Sequence, residues 1–327
     1  MAARFPRRSL LTSRALRLFL LVVALGVLTG GVTLGLARRQ GRPEAFRARK
    51  GTLVAAQLTP GTVDKVSVIE SLRLVSSSGL EVDALVRTPL GAGAPYPAAV
   101  LVGGIKLGKR IVTTSGLETL AARAVVVAID YPLKLRRHSW EGRQLLATVS
   151  RVRPAAFDAI ADVLLVLDYL DTRPDVDQRR RFLVGGSMGS LVVTVAGAVD
   201  ARPAAVVALY GGGGLARLIA HTLEHASPRH PHGPTRALLT GHALAALLIP
   251  LAPERYAPAI APRPYLMVNG LRDSLVPGES VDRLYAAARP PKDLVWVLSE
   301  HVAPSEADLL DRLSDVVSRW LEERGLL

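Results

Sequence analysis

Short, wholly apolar runs alternate along this chain with longer amphipathic ones. Ala98–Val102, Val125–Ile129, Phe182–Val184, Ala205–Leu209, Tyr265–Val268 and Leu294–Leu298 are continuous apolar runs, the pattern of strands buried on both faces. Two further strand-like runs, Val66–Val75 and Leu80–Arg87, are divided by Ser76-Ser77-Ser78-Gly79, which predicts a hairpin. Helical pattern fills the intervals. A short piece is predicted at Leu117–Arg123. Pro154 opens a longer helix in which Ala159, Ile160, Val163, Leu164, Leu167 and Leu170 recur at the helical period. Val281–Ala288 and the amphipathic Ser305–Arg324 complete the set. Buried strands alternating with helices predict an α/β fold, a mostly parallel sheet covered on both faces. There is no internal repeat.

The chain opens on a different pattern. Leu18–Leu36 holds 19 residues without a charge, between Arg14 and Arg17 on one side and Arg38 and Arg39 on the other. That length just spans a hydrocarbon core as a helix, and neither the shorter apolar region nor the small-residue cleavage site of a signal peptide is clear. The expected organisation is therefore a basic segment at 1–17, a transmembrane helix or signal anchor at 18–36, a juxtamembrane linker at 37–62 and one folded domain at 63–327. Arginines flank both sides of the span and leave its orientation open. Arg7-Arg8-Ser9-Leu10-Leu11 looks like a twin-arginine export signal, which points to a folded domain outside the cytoplasm.

Charge invites a nucleic-acid reading, and its distribution argues against one. The net charge is +13, but residues 1–50 carry 11 Lys and Arg against Glu44 alone, so only +3 is left for the other 277 residues. A phosphate-binding patch belongs on the folded domain. The absence of Cys excludes disulfides, thiolate metal sites and a cysteine nucleophile.

Candidate chemistry centres on Gly185-Gly186-Ser187-Met188-Gly189, a G-x-S-x-G motif entered by the apolar run Phe182–Val184 and left by an apolar run of helical length. The motif predicts a strand, a sharp turn and a helix, with Ser187 at a strained backbone position. Side chains at Gly185 and Gly189 would collide with neighbouring elements. The helix N-terminus then presents free N–H groups where an oxyanion would form.

From about Val66 onward, the order of elements around this elbow resembles the α/β-hydrolase fold. The nearest resemblance is to dienelactone-hydrolase-like and prolyl-oligopeptidase-like serine hydrolases. The resemblance implies a triad in the chain order Ser, acid, His. Of seven histidines, His301 in Ser299-Glu300-His301-Val302 follows the Leu294–Leu298 strand, where the fold carries its base. Asp273 follows the preceding strand within Gly270-Leu271-Arg272-Asp273-Ser274-Leu275-Val276-Pro277, a familiar form of that turn; Asp282 is the poorer alternative. The oxyanion donors implied are the backbone N–H groups of Met188 and of Ile105 in Val102-Gly103-Gly104-Ile105, where many relatives have His-Gly. The expected activity is ester or related acyl cleavage through an acyl-enzyme on Ser187, acting on a small acyl substrate with no cofactor and no metal. A peptidase, an acyltransferase and an inactive membrane-tethered binding protein are the alternatives.

An insertion of roughly fifty residues after the sixth predicted strand, about 211–260, is expected to form a lid. His221 and His225 lie four apart there, a spacing that could share a metal on one helix face, but the favoured reading is a polar lid surface with Pro-rich turns, with Glu224, His230 and His232 close by. Lys106, Lys109 and Arg110 read as solvated loop charges, and Asp130-Tyr131-Pro132 as a structural strand end.

Overall fold

The computed structural model describes residue 35 and residues 39–91, 93–104, 108–132, 143–225, 233–302 and 307–327. The expected span Leu18–Leu36 lies outside the described residues except for Gly35. A nine-stranded sheet organises the rest. In chain order its strands are β1 (Leu53–Val63), β2 (Ser67–Ser76), β3 (Glu81–Pro89), β4 (Tyr96–Val102), β5 (Val125–Ile129), β6 (Val176–Gly186), β7 (Ala205–Leu209), β8 (Tyr265–Gly270) and β9 (Lys292–Val297). Their spatial order is β1-β2-β3-β5-β4-β6-β7-β8-β9. β1, β2, β3 and β5 pair antiparallel, while β5 through β9 form a parallel block.

The helices are α1 (Pro43–Lys50), α2 (Glu118–Ala121), α3 (Arg143–Asp171), α4 (Met188–Val199), α5 (Leu215–His225), α6 (Pro234–Leu248), α7 (Gly278–Ala287) and α8 (Ala307–Glu322). β4 and β5 are buried at every position because helices cover both faces. Alternate residues of β4 serve the two sides. Ala98, Val100 and Val102 join the core under α1, α3 and α4, while Ala99 and Leu101 join the core under α2 and α8.

Three expectations need correction. Residues 37–62 do not read as a linker once folded: α1 and β1 occupy most of that stretch. Phe46 of α1 is fully buried, stacked on Phe157 at 5.2 Å and edge-on to Tyr256 at 6.2 Å. The α1 cations bond inward too, Arg47 Nη2 to the Val199 carbonyl at 2.8 Å and Lys50 to Asp168. The polar look of α1 in sequence is therefore a set of tethers. Second, Pro154 does not open a helix; it sits inside α3, which begins at Arg143. A single lost backbone bond is tolerated because the second half of the helix is buried under the sheet. Third, the insertion follows the seventh strand, because β1 adds one to the count.

A buried Phe replaced by Ala typically costs about 3–5 kcal/mol. Phe46→Ala is expected to lower unfolding free energy by that amount, read as a shift of the urea midpoint. A change within about 1 kcal/mol would mean that α1 is not docked in solution.

Candidate active site

Ser187, Asp273 and His301 each sit just past the C-terminal end of a parallel strand, the edge where open α/β sheets place their sites. Ser187 follows β6 and caps α4 with φ 55° and ψ −118°. A non-glycine residue in that region is strained by about 1–3 kcal/mol, so neighbours must hold it. The Ser187 N–H donates to the Leu209 carbonyl at 2.8 Å, and the Ser187 carbonyl accepts from the Ser190 N–H at 3.0 Å and the Ser190 hydroxyl at 2.6 Å.

The motif glycines act as the sequence predicts. A Cβ on Gly185 would stand 2.2 Å from the Gly189 carbonyl oxygen, and one on Gly189 would stand 2.0 Å from the Val102 carbonyl oxygen. Both contacts are with backbone, which cannot swing away. Gly189→Ala is expected to cost about 1–3 kcal/mol in stability, since overpacking forces the backbone to shift. It also moves Ser187, so activity should fall further than stability alone explains. Retained stability with full activity would show that this turn is looser than drawn.

His301 and Asp273 meet Ser187 in a line. His301 Nε2 is 2.9 Å from Ser187 Oγ, and His301 Nδ1 is 2.8 Å from Asp273 Oδ2 and 3.0 Å from Oδ1. A carboxylate accepts only, so Nδ1 carries the ring proton and Nε2 offers its lone pair to the serine hydroxyl. The Asp273 side chain is 2% exposed and that of His301 13%. Two backbone N–H groups, of Leu275 and Val276, donate to Asp273 Oδ1 at 2.8 and 2.9 Å. They fix the rotation of the carboxylate that faces the histidine. The alternative acid, Asp282, is exposed on α7.

Met188 is the first residue of α4, and its N–H has no partner within the helix. Ile105, the other expected donor, lies outside the described residues. Gly104 comes close to the nucleophile: a Cβ there would stand 3.8 Å from Ser187 Cβ.

Two tyrosines brace the site, and of these Tyr210 carries no sequence signal of its own. Tyr210, just past β7, is fully buried with φ 52°, and its ring meets the His301 imidazole edge-on at 5.5 Å. Its hydroxyl is 2.6 Å from Ser299 Oγ, which binds the histidine loop to the end of β7. Tyr131 donates to the Gly103 carbonyl at 2.7 Å and so braces the turn after β4; burial pushes its hydroxyl well above the usual phenol range. The structural role expected for Asp130-Tyr131-Pro132 is thus exercised on the turn after β4. Lys109 pairs with Asp83 at 2.5 Å, and Lys106 lies outside the described residues.

His221 of α5 points its Nε2 at the Ser274 carbonyl, 2.9 Å away, and ties the insertion to the loop of Asp273. Among the described residues no group of three or more His, Asp or Glu is arranged to hold a metal. His230 and His232 lie outside them.

The chain has the α/β-hydrolase fold, with Ser187, His301 and Asp273 joined in a Ser-His-Asp line at its strand ends. The profile of the serine hydrolase (FSH1) family matches residues 201–313, a stretch that contains Asp273 and His301. Two uncharacterized proteins of Mycobacterium tuberculosis, from strains CDC 1551 and H37Rv, are each 32% identical over 177 residues. Those matches cover 54% of this chain and 56% of the relatives, so the shared part is little more than half the length of either. Similar solved folds include an acetyl xylan esterase from a Paenibacillus species, with a TM-score of 0.62 at 17% identity over 84% of this chain and 92% of that one. An acetyl xylan esterase from a Thermoanaerobacterium species gives 0.55 at 18% identity, over 83% and 92%. A putative acetyl xylan esterase from Bacteroides fragilis gives 0.58 at 17%, over 89% and 88%.

Proposed function

We propose that this protein is a serine esterase that cleaves a small-molecule acyl ester through an acyl-enzyme on Ser187. The observation that carries the reading is the unbroken line from Ser187 Oγ through the His301 ring to the Asp273 carboxylate. In the first half-reaction His301 Nε2 takes the hydroxyl proton as Ser187 Oγ bonds to the acyl carbon. The carbonyl oxygen gains the negative charge and lies at the Met188 N–H. Collapse of this intermediate breaks the ester bond, and His301 returns the proton to the departing alcohol. Water repeats the sequence and releases the acid and the free serine. Asp273 holds the imidazole in the required tautomer throughout and stabilises its cation.

The mouth of the site suits an apolar acyl group. Leu271, Leu275 and Leu298, on the loops that carry Asp273 and His301, are all exposed. Incubation with a series of p-nitrophenyl esters, followed by identification of both products, tests the proposal. Release of free acid supports hydrolysis; transfer of the acyl group to an added alcohol in preference to water would identify an acyltransferase instead.

The uncharged run Leu18–Leu36 supports a second part of the reading, a single-pass membrane anchor, and the twin-arginine-like Arg7-Arg8-Ser9-Leu10-Leu11 points to a catalytic domain outside the cytoplasm. The full chain should then stay with membranes through alkaline carbonate extraction. Recovery in the wash would overturn the anchor.

A further inference from the structure

Helix α6 turns its greasy side outward. Its inner side is narrow: Ala237, Gly241 and Leu244 are buried, and Gly241 lies so close to α5 that a Cβ there would stand 2.4 Å from the Ala216 carbonyl oxygen. At the centre of the outer side stands Leu239, exposed by 68%, with Leu238 at 41% and Leu247 at 48% on its two flanks and the exposed Arg236 and His242 between them. A surface helix in water normally presents charged residues there. Here no Asp or Glu occurs between Glu224 and Glu254. Among the described residues Pro234–Leu251 is the one helical stretch with the length and composition of a membrane span, and only a third of it is buried. One side of it is held by protein, so it is not surrounded on all sides as a membrane span would be.

The second observation is where the chain enters the domain. The Tyr256 hydroxyl donates to the Gly41 carbonyl at 2.8 Å and also touches the Pro250 carbonyl, just past the end of α6. Burial pushes the pKa of that hydroxyl up to about 12. Arg153 makes a parallel clamp, with Nε donating to the Leu247 carbonyl at 2.8 Å and Nη2 to Gln40 Oε1. The uncharged run Leu18–Leu36 therefore ends four residues before a point fixed at the C-terminal end of α6. Four residues reach at most about 14 Å.

We propose that α6 lies in the interface of a phospholipid bilayer with Leu238, Leu239 and Leu247 among the acyl chains. The inference rests on reading Leu18–Leu36 as the membrane anchor. That anchor would bring a bilayer within reach of α6. The stretch without acids, with Arg236 on α6 and Arg39 and Arg42 exposed beside the entry point, suits an anionic headgroup layer. Anchor and helix then make two contacts with one membrane and fix the orientation of the domain. Through His221 the same insertion holds the loop of Asp273, so the site would open close to the layer that stores apolar esters.

The chain has no cysteine, which makes the test clean. Full-length Leu239→Cys carries a solvent-sensitive fluorophore and is reconstituted into vesicles of phosphatidylcholine and phosphatidylglycerol. Asp315→Cys, exposed on α8 across the sheet, serves as the reference. The label at 239 should emit further to the blue and be quenched several-fold more strongly by nitroxide lipid than the label at 315. Equal quenching on protein that floats with the vesicles overturns the α6 contact and leaves the anchor standing. A blue shift at 239 without lipid quenching overturns it as well, since protein then covers the helix. Protein that does not float with the vesicles overturns both.

Discussion

Ser187→Ala is expected to lower kcat for ester hydrolysis by about 10⁶-fold, to the residual rate that binding and the oxyanion donors supply without a nucleophile. That loss corresponds to about 8 kcal/mol of transition-state stabilisation. The substitution removes one hydrogen bond, to His301 Nε2, worth only about 1 kcal/mol to the fold. Alanine also tolerates φ 55° no worse than serine, because the strain at this position comes from the backbone and Cβ. The thermal midpoint should therefore move little while turnover vanishes. Steady-state kinetics beside a melting curve separates the two effects. More than about 1% of activity left in the variant would mean that another group attacks the ester.

Asp273→Asn is expected to cost about 10⁴-fold in kcat, and the reason lies in the two backbone donors. Leu275 and Val276 aim their N–H groups at Oδ1, so the amide must place its oxygen there and its NH2 toward His301 Nδ1. Nδ1 is then forced to accept, and the ring proton moves to Nε2, facing Ser187. A base that already carries its proton cannot take the serine's. The pH–rate profile at constant temperature, with kcat and KM resolved, checks this: kcat collapses while KM stays near the parent value. Loss in KM alone would show that Asp273 shapes the pocket and not the tautomer.

The parts legible in sequence share a physical character. β5 and β7 match their apolar runs residue for residue, since a strand buried on both faces leaves no polar position to blur its ends. Ser187, Asp273 and His301 are legible because each follows such a run at a turn, and their meeting in space follows from strand order. α1 and β1 were hidden for the opposite reason. β1 is an edge strand, exposed along most of its length, and its pairing with β2 slips between Thr59 and Thr62, around Pro60-Gly61. An edge tolerates that proline because no neighbour needs its missing N–H, but in sequence Pro-Gly reads as a break. Pro154 misled in the same way: a proline that fits a helix start is also tolerated inside a well-packed helix. Tyr210 leaves no local trace at all, and the strand end Asp130-Tyr131-Pro132 does not reveal which loop its tyrosine braces. Their roles arise from contacts across the sheet edge, with Gly103 and with Ser299 and His301, which no spacing along the chain records.

The central claim is that Ser187 is a nucleophile activated by His301. Labelling the full chain with a fluorophosphonate, which reacts with activated serines, tests it most directly when run beside Ser187→Ala and His301→Ala. The account predicts one covalent adduct on the parent protein, located on Ser187 by peptide mass, and no adduct on either variant. Equal labelling of the parent and Ser187→Ala, or a folded parent that takes up no probe, would contradict it.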